Sequence, residues 1–273
     1  MRFTWNSATN VVRLRSKSEI RISKYETRTT QRAELNSKSQ STLPTAHRRF
    51  SFVNYLSHGF RFIDDPYVLA GTAVPDWLSV ADRRVRARAA RAQPLIDDSD
   101  SRVASVARGI VQHHHDDGWF HNTDAFNNVC WEVTVLCRSA LPPDEGFRPS
   151  FLGHILVEIL LDAELAAADP GVLDRYYAAL DQLDPLAVQS AVNQIAAVPT
   201  DRLVWFIERF CQERFLWDYA DDVKLLFRLN QVMRRVRLSP LPDLLQTVLP
   251  AARQLVSARS TELLGGDIAC NAA

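Results

Sequence analysis

The sequence predicts an all-α domain, and three observations lead there. From Phe52 onward, apolar residues recur at spacings of three and four, the period of a helix with one buried face. No stretch alternates apolar and polar residues for long enough to need a sheet. Only 9 of the 273 residues are Gly, whereas Ala, Leu and Arg, all good helix formers, dominate the second half. An apolar fraction of 47% is ample for a buried core.

The elements follow in order. Residues 1–49 are polar, rich in Ser, Thr, Arg and Lys, and without sustained periodicity, so they read as a disordered basic arm. Residues 1–50 hold 11 Lys/Arg against 3 Asp/Glu, and residues 51–273 hold 21 against 29, so a chain of zero net charge divides into a basic arm and an acidic body. The arm is read as a dispensable tail, and nucleic acid is not an expected partner. The helical domain is expected over 50–265, followed by a flexible tail over 266–273.

Phe52, Val53, Leu56 and Phe60 open the helical pattern. Asp65 can cap the next helix and Pro66 can begin it. Pro75-Asp76 marks a further helix start, with that helix running through Arg83, Arg84, Arg86, Arg88 and Arg91. Polar residues 97–101 form a loop and cap, from which Val103, Val106 and Ile110 lead into a histidine cluster. A helix over 126–141 stops at Pro142-Pro143, and one capped by Ser150 spans 151–167. Helices over 171–181, 185–197, 200–219, 220–237 and 241–264 are divided by Pro185, Pro199, Pro240 and Pro250. No repeat at a period of about 30–45 residues supports a helical solenoid.

Four cysteines, Cys130, Cys137, Cys211 and Cys270, show no CxxC spacing and fit a reducing cytoplasm. No apolar run reaches about 18 residues, so no transmembrane segment is expected. The N-terminus lacks the apolar core of a secretory leader.

The histidines carry the chemistry. Six of the seven (His58, His113, His114, His115, His121 and His154) lie in three short segments. On a helix, His113 and Asp117 share a face one turn apart, and an imidazole and a carboxylate so placed can grip one cation. Gly118 is placed to end or bend that helix, with His121 on the following turn. His154, Glu158 and Asp162 make an i, i+4, i+8 stripe among Leu, Ile and Val, where an unpartnered carboxylate is costly and a metal or a histidine is the usual remedy. His115 and Asp116 are expected to face solvent, because four consecutive helical residues cannot point one way. Nitrogen and oxygen ligands suit Mn²⁺, Fe²⁺, Zn²⁺ or Mg²⁺. Asp76 reads either as a helix cap or as a ligand or phosphate-site acid.

With these residues assembled, the chain resembles the acyl carrier protein phosphodiesterase family. Asn54-Tyr55-Leu56-Ser57-His58 is similar to its N-[FY]-L-A-H element, and Gly71, Asp76 and Trp77 match three positions of G-N-x-x-x-D-F. His113 and Asp117 take the His and Asp positions of the next element, while His114 and His121 replace its Arg and last Asp. Glu158 to Leu165 resembles D-x-x-x-D-H-x-L with Ala163 at the family histidine, and His154 stands two turns before Asp162. Trp217-Asp218-Tyr219 and Met233-Arg234-Arg235 resemble two later elements.

The resemblance covers about residues 52–237 and implies an HD-like helical bundle. It implies a divalent metal, Mn²⁺ preferred with Zn²⁺, Fe²⁺ or Mg²⁺ as alternatives. The reaction implied is hydrolysis of the phosphodiester between phosphopantetheine and an acidic carrier protein, or of another phosphodiester substrate. In that reading His58, His113, Asp117 and Asp76 surround the metal. His121, His154 and Glu158 serve as further ligands, supporting groups or the acid/base, and His114 contacts the substrate phosphate. The arginines at 83, 84, 86, 88 and 91 would steer an acidic partner, or else form an ordinary solvated helix face. The competing readings are a non-catalytic helical interaction module that keeps the fold, and a zinc-dependent phospholipase-like hydrolase.

Overall fold

Helix α1 (Tyr55–Gly59) starts the described chain, and a single turn of 3-10 helix over Phe60–Phe62 follows it. The structure, a computed structural model, describes residues 54–143 and 146–265. The arm over 1–49 and the tail over 266–273 lie outside these residues. Helix α2 (Pro66–Ala81) begins as expected, with the Asp65 side chain accepting from the Val68 amide and Pro66 in the first turn.

Two expectations fail in the next stretch. Pro75 does not start a helix; it lies within α2. An internal proline costs about 3 kcal/mol, and burial of nearly every residue from Val68 to Leu78 offsets it. Nor does a helix run through the arginines. The chain leaves α2 at Asp82 in an extended conformation, because the Asp82 carboxylate accepts from the Arg84 amide, the Arg84 guanidinium and the Thr200 hydroxyl. Such local bonds compete with helix continuation. Val85 and Ala87 are buried while Arg84, Arg86 and Arg88 are exposed, and only the short helix α3 (Ala89–Ala92) follows.

Helix α4 (Ser101–Phe120) is capped by the Asp100 carboxylate, and α5 (Asp124–Ala140) by the Thr123 hydroxyl. Gly118 does not end α4; His121 is its C-cap. Helix α6 (Pro149–Ala168) starts at Pro149 rather than after a Ser150 cap, since proline's fixed φ suits the first helical position. Then come α7 (Val172–Leu180), α8 (Pro185–Ile195), α9 (Leu203–Glu213), α10 (Asp222–Val236), α11 (Leu249–Ala258) and α12 (Ser260–Leu263). The helix expected over 200–219 breaks at Arg214, which sits at φ 44° and passes the chain to a 3-10 segment over Phe215–Ala220. The one expected over 241–264 divides into a 3-10 segment, Asp243–Val248, and the helices α11 and α12.

The fold is all-α, with no β-strand among the described residues. Helix α6 is its axis: every residue from Ile155 to Asp162 is buried. No described helix is long and apolar enough to cross a membrane. Helices α2 and α4 cross at two glycines. A Cβ on Gly71 would fall 2.4 Å from the Val106 carbonyl oxygen, and one on Gly109 would fall 2.2 Å from that of Val68. Only glycine permits this approach, which presses the backbone of α2 against the helix that carries the histidines.

Candidate metal centre

The last turns of α4 and the middle of α6 bring their polar stripes together. Glu158, 2% exposed, receives His121 Nε2 at 2.9 Å and His154 Nε2 at 3.2 Å on its Oε1. Among the described residues, His121, His154 and Glu158 are the three side chains of metal-ligating type whose donor atoms lie within 4.8 Å of one another. The two histidine side chains are 27% and 34% exposed, so they form the rim over a buried carboxylate. Their rings are tilted at 4.7 Å, with Phe126 against both.

Asp117 stands behind this group. Its Oδ1 lies 3.2 Å from His121 Nδ1, so both ring nitrogens of His121 face carboxylates. A carboxylate at one imidazole nitrogen fixes the tautomer and leaves the other nitrogen to a metal. Glu158 Oε2 is buried and has no hydrogen-bond partner among the described residues. Leaving a buried acceptor unmatched costs about 1–3 kcal/mol. Two imidazoles, one carboxylate with an unmatched oxygen and a supporting carboxylate fit a divalent cation. Burial alone would raise the Glu158 pKa; the contacts from His121 and His154 outweigh it and hold the carboxyl below its usual range.

A second histidine group adjoins the first. His58 and His113 are both buried, with ring centroids 4.4 Å apart. His113 Nδ1 lies 2.8 Å from the Thr72 carbonyl oxygen, an acceptor only, so Nδ1 carries the proton and Nε2 the lone pair. Burial, and then the neighbouring His58 and His114, push the His113 pKa well down and keep the ring neutral. His58 Nδ1 is 3.8 Å from Asp116 Oδ2, an electrostatic contact longer than a hydrogen bond, and its buried Nε2 has no partner among the described residues. Burial would lower the His58 pKa, but Asp116, Asp76 and Asp117 together raise it.

Each sequence-predicted residue can now be placed. His121, His154 and Glu158 are brought together, with Asp117 behind them. His58 and His113 share the neighbouring group, and Asp76 is buried inside α2, close enough for its charge to act on His58 and Tyr55. His114 is turned to the Ala87 carbonyl oxygen at 2.7 Å, tying α4 to the arginine segment. Asp162 reaches α1, where its carboxylate accepts the Leu56 and Ser57 amides at 2.9 and 2.8 Å. Burial nevertheless pushes its pKa up to about 7.

The arginines form no common helix face. Arg84 is held by Asp82, Arg83 donates to the Arg235 carbonyl and Arg86 to the Arg83 and Val85 carbonyls, leaving Arg88 and Arg91 as exposed neighbours. Sequence reasoning missed Asp116, which was expected to face solvent. It is half-buried, bonded to Arg61 at 3.0 Å and Gln112 at 2.8 Å. The i, i+4 pairing with Gln112 was the one local signal for it. Compared with family models, curated proteins and solved structures, the chain matches none, so the centre rests on its own geometry.

Proposed function

We propose that this chain is a metal-dependent phosphodiester hydrolase, similar in reaction to the acyl carrier protein phosphodiesterases. The observation that carries the reading is the buried Glu158 with an unmatched oxygen between His121 and His154, backed by Asp117. His121, His154 and Glu158 would hold the cation. Mn²⁺ is the proposed metal, with Zn²⁺, Fe²⁺ and Mg²⁺ as alternatives. When bound, it supplies positive charge for phosphoryl oxygens and acidifies a hydrolytic water. Asp117 keeps the proton of His121 on Nδ1 and so holds Nε2 toward the centre. His113, neutral and tied to Thr72, offers a lone pair at Nε2 for a proton. An acidic carrier protein is the proposed macromolecular substrate, with Arg88 and Arg91 as exposed cations to dock it. The free cysteines Cys130, Cys137 and Cys211 suit a cytoplasmic site of action.

The test is elemental analysis of purified protein, followed by hydrolysis of a generic phosphodiester and of a holo carrier protein. Near-stoichiometric metal and manganese-stimulated turnover are expected, with His154→Ala and Glu158→Gln losing both. A second reading, a non-catalytic interaction module, is favoured by the exposed Trp131 and Trp205, at 62% and 65%. It predicts a folded protein that holds no metal and hydrolyses neither substrate.

A further inference from the structure

Arginines elsewhere in the body meet carboxylates: Arg175 pairs with Asp169, Arg214 with Asp181, Arg228 with Asp218 and Arg253 with Asp222. Two stretches depart from this. Residues 83–91 hold five arginines and no acidic residue, and residues 223–242 hold four arginines and no acidic residue. Asp82, just before the first stretch, is taken by Arg84 and Thr200. Arg83, Arg86, Arg234 and Arg235 make no ion pair among the described residues.

The fold joins these stretches across 152 positions of sequence. Arg83 Nη2 donates to the Arg235 carbonyl oxygen at 2.7 Å, and Arg86 Nη1 donates to the Arg83 carbonyl oxygen at 2.6 Å. A carbonyl oxygen accepts a hydrogen bond but cancels no charge, so both guanidiniums stay cationic. Arg235 is half-buried; burial, with the like charges of Arg83 and Arg234, pushes its pKa down. The carbonyl end of α10 supplies about half a negative charge, too little for four guanidiniums.

A groove of about 350 Å³ adjoins them, lined by Phe227, Asn230, Gln231, Arg234, Leu238 and Pro240. No carboxylate lines it, and the Asn230 carboxamide is committed to the Leu241 backbone. Phe227 is 59% exposed, and Val223, one turn earlier on the same face of α10, is 65% exposed. That face passes from exposed apolar side chains at 223 and 227 to an unpaired cation at 234.

An apolar patch rimmed by polar groups marks an interaction surface, and aromatic residues and arginine are the side chains that protein interfaces favour. Extended polyanions fit less well. Residues 51–273 hold 21 basic and 29 acidic residues. Nucleic acid or an anionic bilayer, charged along its whole extent, would run from the arginines onto a body of its own sign. A short acidic peptide ends where the arginines end.

We propose that this face of α10, together with Arg83 and Arg86, docks an acidic segment of a partner protein. Its carboxylates pair with Arg83, Arg86, Arg234 and Arg235, and an apolar side chain enters the groove beside Phe227. The surface uses none of the histidines and does not depend on the chain being a hydrolase.

Fluorescence anisotropy of a short labelled peptide of glutamate and leucine, titrated with the full chain, tests it. Poly-glutamate and oligothymidylate of matching length and phosphatidylglycerol vesicles are the competing ligands. The glutamate–leucine peptide is expected to bind one to one, at least about fivefold tighter than each of the others, and to weaken as salt rises. Arg234→Glu should weaken it about tenfold or more, a loss of about 1.4 kcal/mol. Arg86→Glu should do the same and serves where the first variant fails to fold. Phe227→Ala should weaken it severalfold and bring it level with poly-glutamate. Arg138→Glu, at an exposed position of α5, should leave it unchanged. The proposal is overturned if the peptide does not bind, or if poly-glutamate, oligothymidylate or the vesicles bind as tightly. It is overturned equally if Arg234→Glu or Phe227→Ala has no effect in a variant with unchanged melting, or if Arg138→Glu weakens binding as much. Metal content and hydrolysis are read separately, so their failure leaves this surface standing.

Discussion

At the scale of residues, Asp117 shows how a side chain can serve a centre without entering it. It faces His121 Nδ1, while Glu158 takes Nε2 of the same ring. Asp117→Asn keeps the shape and removes the charge, so we expect metal affinity to fall about 10–100-fold with helical circular dichroism unchanged. Unaltered affinity would place Asp117 outside the centre. Asp162 makes a second prediction, on pH. Its pKa stands at about 7 against an ordinary 3.8, so between these values only the folded state holds the proton. Rising pH therefore favours unfolding across that window, and the slope disappears above about 7, where both states are ionised. Asp162→Asn cannot titrate. The melting temperature of the wild type relative to the variant should fall from pH 4 to pH 7 and then level, and a flat difference would contradict the assignment. The i, i+4 stripes that hold these groups were legible in the sequence because one helix fixes them. The partition into two histidine groups was not. It depends on which rings reach Thr72, Asp116 and Glu158, residues 41, 58 and 37 positions away in the relevant pairs.

At the scale of elements, capping chemistry and burial were read with different success. Asp65 and the polar residues 97–101 announced α2 and α4 because the cap is local in sequence, whereas the Thr123 cap that starts α5 two residues before the expected Phe126 was not read. The break at Arg214 had no such signal: a left-handed arginine is held there by tertiary packing, with its guanidinium on Asp181 and over the Tyr177 ring. Pro75 misled for the converse reason, since a buried helix tolerated a residue that normally begins one. The glycine crossing of α2 and α4 gives the element-scale prediction. Gly71→Ala would drive a methyl group to 2.4 Å from a backbone oxygen that no rotamer can move. Separating the helices should cost about 1–3 kcal/mol, read as a fall of a few degrees in melting temperature. Since His121 stands at the far end of α4 from this crossing, metal affinity should fall with it.

At the scale of the molecule, the polar groups of α4 and α6 are paid for by the apolar body around them. Trp77, Tyr176, Tyr177 and Tyr219 are almost wholly buried and fill the side of the bundle that α1, α7 and α9 share. A cation that binds only the folded chain should stabilise the whole. At a free concentration 100 times its dissociation constant, the gain is about 2.7 kcal/mol, or roughly 5–10 °C for a domain of this size. Differential scanning fluorimetry with Mn²⁺ and then with chelator should show that shift and its reversal, and both should vanish in Glu158→Gln. The helical class of the chain was legible from its periodicity, and the unequal charge of arm and body from simple counting. The engagement of Arg83 and Arg86 by this chain's own carbonyls, and of Arg84 by Asp82, was not, because it needs the turn at Asp82 to exist first.

The contact between Gly71 and Gly109 also sets an angular tolerance. His121 lies 12 residues beyond Gly109 along α4, about 18 Å at the helical rise. A tilt of about 5° at the crossing would swing that imidazole by about 1.6 Å over such a lever, enough to take it out of reach of a shared ion with His154 and Glu158. With no side chain between the two backbones, the pivot has almost no play. Helix α4 thus behaves as a rigid arm clamped at its midpoint, and alignment at its far end is decided by two hydrogen atoms where other residues would carry a carbon.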